Sequence, residues 1–294
     1  MMKITERFIL FPSLLASLAL PVTNAYADNP WLLEEGQSVV SISYVNEAFD
    51  QKWLADVRSA IPEISQQTTW VYYGKGLSDT MMVDVLAGFV SSSWDNNPAL
   101  GDISGMADTR IRLRWNLRNE YYHDSGPTIT VSGAAIFKGS YKRSQLTDIN
   151  KDTVLEPNVH APGDRAHGIE LAVQIGQTLT DALSVSAELG YRVRFNDVPD
   201  DLLINMGAYY AMTDRISARV VYSFVLGQSG PDIGTAGVNP NVFHTTKEEV
   251  EGVEIAIDYS ISHQHSVGVG LADVLDGRNT GDSSIYHMSY TYSF

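Results

Sequence analysis

The chain contains no cysteine, so no disulfide can staple its fold and no thiolate metal site is available. It also lacks a membrane helix: after the N-terminus no stretch approaches the roughly 20 consecutive apolar residues that a spanning helix needs. Its mean hydropathy is −0.10 and 44% of its residues are hydrophobic, values ordinary for a water-soluble protein. Basic residues are scarce too, with 20 Lys and Arg against 35 Asp and Glu and a pI near 4.7. There is no basic patch and no glycine-rich phosphate-cradling loop, so nucleic acid is not an expected partner.

What the sequence does have begins at the N-terminus. Lys3 and Arg7 precede an apolar run from Phe8 to Leu20, and Ala25-Tyr26-Ala27 places small residues where a signal peptidase reads them. This is the pattern of a secretory signal peptide over residues 1–27, with an apolar core too short to span a bilayer. Removing it takes away Lys3, Glu6 and Arg7 and moves the net charge from −15 to −16. No linker or composition shift divides residues 28–294, which are expected to form a single domain.

The remaining chain is dominated by alternation. Tyr286, Met288, Tyr290, Tyr292 and Phe294 share one face of the last segment, with His287, Ser289, Thr291 and Ser293 on the other. Upstream, Val253, Ile255, Ile257, Tyr259 and Ile261 alternate with Glu254, Ala256, Asp258 and Ser260. Leu183, Val185, Ala187, Leu189, Tyr191 and Val193 alternate with Ser184, Ser186, Glu188, Gly190 and Arg192, and Ile111, Leu113 and Trp115 with Arg110, Arg112 and Arg114. A strand with one greasy and one polar face averages to neutral hydropathy, which is how a lipid-embedded barrel escapes a hydropathy search. The same reading places strands near 37–46, 66–77, 80–92, 107–118, 127–138, 166–178, 182–195, 201–212, 215–227, 249–261, 265–275 and 283–294, about twelve in all. The second has no clear facing, because Trp70 and Tyr72 oppose Val71 and Tyr73.

Short and long connections alternate along the chain. Leu77-Ser78-Asp79, Leu179-Thr180-Asp181 and Met212-Thr213-Asp214 read as tight turns in which the aspartate bonds local backbone. Long polar stretches run from Glu47 to Ser65, Trp94 to Met106, Gly139 to Arg165 and Gly227 to Lys247. The expected fold is therefore an all-β, transmembrane antiparallel β-barrel in a bacterial outer membrane, with short turns and both termini on the periplasmic side.

Three features carry a resemblance to a known family. The run Gly105-Met106-Ala107-Asp108-Thr109-Arg110-Ile111-Arg112-Leu113 resembles the glycine-then-aspartate start of a strand in the outer-membrane proteins named for the meta-pathway of phenol degradation, with Ala107 where glycine is more usual. The turns Gly76-Leu77-Ser78-Asp79 and Thr180-Asp181 resemble that family, as does Pro30-Trp31 followed by Glu35-Gly36. The resemblance implies a barrel that passes small, often hydrophobic molecules and brings no catalytic residues. Separately, the last strand resembles the assembly signal of outer-membrane barrels, with Tyr290, Tyr292 and Phe294 as its aromatics. That implies the barrel-assembly machinery, and membrane lipid and lipopolysaccharide, as partners.

Alternation also assigns a lumen. Arg110, Arg112, Arg114, Lys138, Arg192, Arg194 and Arg219 are expected to face it with Asp84, Glu170, Glu188, Glu254 and Asp258. Either these charges pair and fill the interior, or the basic row forms one wall of a selective constriction for a small-molecule solute. Within 47–65, Trp53, Val57 and Ile61 fall four apart, as on a short helix lying over the mouth.

Other chemistries fit less well. Asp148, Asn150, Asp152 and Glu156 are spaced like the first oxygen ligands of a calcium loop, but Thr153 stands where glycine is needed and Val159 where a bidentate glutamate belongs. Asp197, Asp200 and Asp201 are expected to be a solvated turn. An outer-membrane lipid hydrolase or protease, or a structural or adhesive barrel, is the alternative to a channel, because one architecture serves all of these. His123, His160, His167, His244, His263, His265 and His287 lack a nucleophile in a recognisable motif. No cofactor or metal is expected.

Overall fold

The structure is a computed structural model that describes residues 29–94, 102–123, 126–141, 162–232 and 243–294. The signal-peptide assignment, the calcium-like spacing at 148–159 and His160 lie outside the described residues.

Among the described residues, thirteen strand segments form one antiparallel sheet. They are β1 (Ser38–Leu54), β2 (Val57–Ser78), β3 (Met81–Trp94), β4 (Ile103–Met106), β5 (Thr109–Arg118), β6 (Thr128–Phe137) and β7 (Gly168–Thr178), then β8 (Leu183–Arg194), β9 (Asp201–Ala211), β10 (Ile216–Gly227), β11 (Glu249–Ser260), β12 (His265–Arg278) and β13 (Ser284–Ser293). Each pairs with its sequence neighbours, and β1 pairs with β13, which closes the sheet on itself. β4 and β5 both lie along β3 and differ by one residue of register across Ala107-Asp108, so they are one barrel strand interrupted by a bulge. The architecture is a closed barrel of twelve strands.

Its inside and outside follow from the period of two. On β5, Arg110, Arg112, Arg114 and Asn116 are buried while Ile111, Leu113, Trp115 and Leu117 are exposed. On β7 the outward apolar residues run from Ile169 through Leu171, Val173 and Ile175 to Leu179. Ten residues of strand at 3.3 Å per residue, tilted by about 40°, give an apolar band roughly 25 Å tall, the height of an outer-membrane barrel's lipid face. Trp115, Tyr210, Tyr259, Tyr290 and Phe294 ring the band at the short-turn end, and Phe89, Phe137, Tyr191 and Phe195 mark the opposite end. In water these side chains would form one continuous exposed apolar surface, which a soluble protein does not tolerate; in a bilayer they are solvated by lipid. The barrel therefore belongs in a bacterial outer membrane.

The start of β1 meets the last residue of the chain at the short-turn end, where Ser38 and Phe294 exchange two backbone hydrogen bonds of 2.7 and 2.9 Å. The short turns share one chemistry, and the bonding side chain is a hydroxyl, where aspartate was expected. Thr180 Oγ1 accepts from the amides of Ala182 and Leu183, Thr213 Oγ1 from Arg215 and Ile216, and Ser262 Oγ from Gln264 and His265. Ser78 Oγ accepts from Thr80.

Two expectations need correction, and one point left open by the sequence is resolved. Residues 47–65 are neither a loop nor a helix: β1 and β2 continue as a hairpin through Leu54↔Val57. Trp53 and Val57 lie on opposite strands of it, so their spacing of four is incidental. The hairpin outruns its neighbours and is clamped by the β12–β13 loop, with Trp53 N donating to Thr280 O, Asp282 N to Gln51 O, and Arg58 paired with Asp282. Lys138 follows the last residue of β6 and is exposed, so it does not line the lumen. On β2, Trp70 faces inward at 8% exposure and Val71 outward at 44%, which settles its facing.

Candidate functional site in the barrel interior

The inner wall is built row by row, because residues directly opposite on neighbouring strands point to the same side of the sheet. One such row reads Asp84, Arg112, Ala134, Glu170, Arg192, Asp201 across β3, β5, β6, β7, β8 and β9. Its charges alternate. Arg112 Nε lies 3.0 Å from Asp84 Oδ2, and Arg192 binds Asp201 with Nε at 2.8 Å and Nη2 at 2.6 Å. Glu170 is held by Arg110, one step up the β5 face, at 3.3 Å. Across the barrel, Arg219 sits between two carboxylates, with Nη2 2.7 Å from Glu254 and Nη1 2.8 Å from Asp258, and His287 Nε2 is 3.2 Å from Glu254. Ala256 stands directly opposite Arg219, and its small side chain leaves room for both diagonal contacts.

Below this row lies one of uncharged polar residues around a single carboxyl group: Asn116, Thr130, Gln174, Glu188, Asn205, Ser223. Glu188 is held by two neutral amides, Gln174 Nε2 at 2.6 Å and Asn205 Nδ2 at 2.7 Å. Inward glycines make room for bulk: a Cβ on Gly88 would meet the Trp70 ring at 2.5 Å, and one on Gly270 would meet His287 Nε2 at 2.2 Å.

Of the twelve charged residues assigned to the lumen from sequence, all but Lys138 face inward; ten of these are buried and Asp258 is partly so. Asp201, Asp108 and Asp164 join them, although alternation did not mark them as lumen residues. Asp201 begins β9 and binds Arg192, and Arg194 Nη2 lies 3.8 Å from Asp108 and 3.6 Å from Asp164. Asp200 accepts from Tyr191 Oη and from the Arg194 amide, so this acidic turn is tied into hydrogen bonds. Among the described residues, no three His, Asp or Glu side chains converge to hold a metal.

Toward the long-loop end the inner wall carries an apolar layer. Val45, Trp70, Leu86, Val90, Ile103, Leu203, Val225, Val250, Val274 and Ile285 face inward from β1 through β4 and from β9 through β13, and pack as one cluster with Ala107 of the bulge after β4 and with Tyr141. The cluster lines one continuous arc of the inner wall, from β9 through β13 and β1 to β4, and Tyr141 joins it from the connection between β6 and β7. Above it, Glu248 is hydrogen-bonded to Thr280; burial, with Asp164 adding to it, pushes its carboxyl up to about 7. Burial likewise lowers the nearby Lys52 ammonium.

At the short-turn end the closure is the segment before β1. Asn29 and Pro30 are buried inside the barrel, where the Asn29 carbonyl accepts from Arg114 and the Pro30 carbonyl from Thr130 Oγ1 at 2.6 Å. Trp31 donates from Nε1 to Glu120 at 2.8 Å and packs edge-on against Tyr209, with centroids 6.0 Å apart. The chain leaves along β2 through Gly36 N to Gly76 O and Gly76 N to Gln37 O. A side chain at Gly76 would collide with the Glu34 carbonyl at 2.0 Å, so the strap depends on that glycine.

Three of the described histidines are held by local hydrogen bonds. His265 Nδ1 is 2.6 Å from Tyr290 Oη, His123 Nδ1 is 2.8 Å from the Asn119 carbonyl, and His167 Nδ1 accepts from the Lys138 amide at 3.3 Å.

No family model matches the chain, and no curated protein matches its sequence. Its fold is that of known outer-membrane barrels. The crystal structure of the COG4313 outer membrane channel from Pseudomonas putida F1 superposes with a TM-score of 0.69 at 14% identity, covering 89% of this chain and 97% of that one. A KdgM porin in complex with disordered oligogalacturonate aligns with a TM-score of 0.47 at 13% identity, over 86% of this chain and 99% of that one. The TodX deltaS2S3 mutant monoaromatic hydrocarbon channel aligns with a TM-score of 0.45 at 10% identity, over 89% and 91%.

Proposed function

We propose that the protein is a gated outer-membrane channel that passes small solutes with apolar or aromatic surface. The observation that carries this reading is the division of the interior into a charged, hydrogen-bonding wall and an apolar layer, with the strap before β1 seated inside one end and the Tyr141 limb packed into the layer near the other. The polar wall supports water through the middle of the barrel. The apolar layer is a barrier to hydrated ions, but a solute with apolar surface gains roughly 25 cal/mol for each Å² it buries there.

The finer identity in this reading is a member of the outer-membrane proteins named for the meta-pathway of phenol degradation. It rests on Gly105–Leu113 and on the turn and strap motifs around Pro30-Trp31 and Gly76–Asp79. The mature chain in this proposal starts after Ala27 and forms one domain. Its short turns face the periplasm, and its last strand, with Tyr290, Tyr292 and Phe294, is handed to the barrel-assembly machinery. Membrane lipid and lipopolysaccharide surround it. The charged lumen residues set which solutes pass.

Reconstitution into liposomes tests the proposal. Loaded vesicles should swell in an isotonic solution of a small uncharged solute only when folded protein is present. Vesicles that remain impermeable with a correctly folded barrel, in wild type and in variants of either closure, would falsify it.

A further inference from the structure

The Gly105-Met106-Ala107-Asp108 motif is not explained by strand formation alone. It falls where the barrel strand breaks between β4 and β5, and its backbone and side chains are occupied by the chain that follows β6. Ser140 N donates to Met106 O at 2.9 Å, and Met106 N donates back to Ser140 Oγ at 2.9 Å. Asp108 Oδ1 accepts from Gly139 N at 2.7 Å. Two glycines permit this approach. A Cβ on Gly105 would meet Tyr141 N at 2.5 Å, and one on Gly139 would meet Met106 O at 2.0 Å.

The consequence is that Tyr141 points into the barrel. It is 2% exposed and belongs to the apolar cluster that lines the lumen, although it is on none of the strands. Its hydroxyl has a built environment. It is hydrogen-bonded to the Asp108 carboxylate and accepts from Arg165 N at 2.6 Å. Arg165 has a φ of 49°, a left-handed conformation uncommon outside glycine, so the return limb of the loop is bent toward the hydroxyl. Asp108 and Asp164 in turn lie 3.8 and 3.6 Å from Arg194 on β8.

We infer that Tyr141 is the side chain that a solute displaces to pass the apolar layer, and that Gly105 to Asp108, with Arg194, form the socket that holds it closed. This rests on the channel reading above and names the residue that determines passage. Every other apolar residue in the layer is carried by the barrel wall, whose hydrogen-bonded strands fix it in place. Tyr141 alone is carried by a loop limb joined to the wall through a handful of hydrogen bonds, so it is the element that moves at least cost. Asp108 is a positioning residue: it ties both the Gly139 amide and the Tyr141 hydroxyl to the broken strand.

The test uses the absence of native cysteine. Met106→Cys with Ser140→Cys introduces a single thiol pair at two residues that already exchange hydrogen bonds, a separation suited to a disulfide. Potassium chloride conductance is recorded in planar bilayers for wild type, the oxidised and reduced pair, and Tyr141→Ala, each in the full chain and alongside Trp31→Ala to loosen the strap. The inference expects the oxidised pair to conduct at least about tenfold less than the reduced pair, with reductant restoring current, and Tyr141→Ala to conduct more than wild type. Equal currents from oxidised and reduced pair overturn the gate while leaving the channel intact. Silence from every variant, Tyr141→Ala with Trp31→Ala included, removes the channel reading and the gate with it. If Tyr141→Ala fails to fold, as judged by its heat-dependent gel mobility, the thiol pair decides alone.

Discussion

Arg112 stands directly across the β3–β5 ladder from Asp84, with Nε 3.0 and 3.2 Å from the two carboxylate oxygens, and neither side chain is more than 1% exposed. The pair anchors the row of alternating charge that runs to Asp201. Asp84→Ala leaves the guanidinium buried beside empty space and is expected to cost about 3–5 kcal/mol, because breaking one partner of a buried pair strands the other. Replacing both with leucine costs far less. The urea midpoint of the folded gel form, measured for single and double variants, checks this; equal losses in both would show that the pair contributes little beyond packing.

Trp31 is one of the anchors of the strap before β1, through Glu120 and Tyr209. A hydrogen bond to a charged group is worth about 1.5–3 kcal/mol, so Trp31→Ala should raise the population of chains with the inner end open by roughly 10- to 100-fold. Open probability in single-channel records should rise accordingly, with barrel stability nearly unchanged. No change would mean the strap does not obstruct the path.

Glu188 is the carboxyl group of the lower polar row, between Gln174 and Asn205. Glu188→Gln removes a negative charge from the lumen while preserving shape, so the cation-over-anion permeability ratio should fall. Reversal potentials under a potassium chloride gradient measure it. A ratio identical to wild type would place Glu188 off the conducting path.

Above the apolar layer, Glu248 has its carboxyl raised from 4.5 to about 7 by burial, with Asp164 and Asp201 opposing its ionisation and Thr280 and Lys52 favouring it. The folded state therefore holds this proton more tightly than the unfolded chain does. Its contribution to stability is complete below about pH 4.5 and is lost as pH rises through 7. Urea resistance of the mouth should decline between pH 5 and 8, and Glu248→Gln should flatten that slope.

Period-two patterning made the barrel and its inward arginines legible in the sequence, since each of Arg110, Arg112 and Arg114 is separated by one apolar residue that faces lipid. It could not reveal which acid meets which base. That depends on register between strands, and no residue of β5 carries information about Asp84 or Glu170. The apolar layer was obscured for another reason: patterning assigns apolar side chains to the lipid, whereas Leu203 and Val225 face inward. Consecutive apolar residues at Leu202-Leu203-Ile204 and Phe224-Val225-Leu226 were the available sign that both faces are apolar near that end. The strap and the Tyr141 limb have no period at all; only Pro30-Trp31 and Gly105–Asp108, noticed as motifs, marked the places where they dock.

The central claim is that this barrel encloses a solute path shut by the strap at one end and the Tyr141 layer at the other. Single-channel conductance of refolded wild type compared with the Trp31→Ala, Tyr141→Ala double variant tests it most directly. The account predicts rare, brief openings in wild type and sustained current in the double variant. A double variant that folds, inserts and stays electrically silent would contradict it.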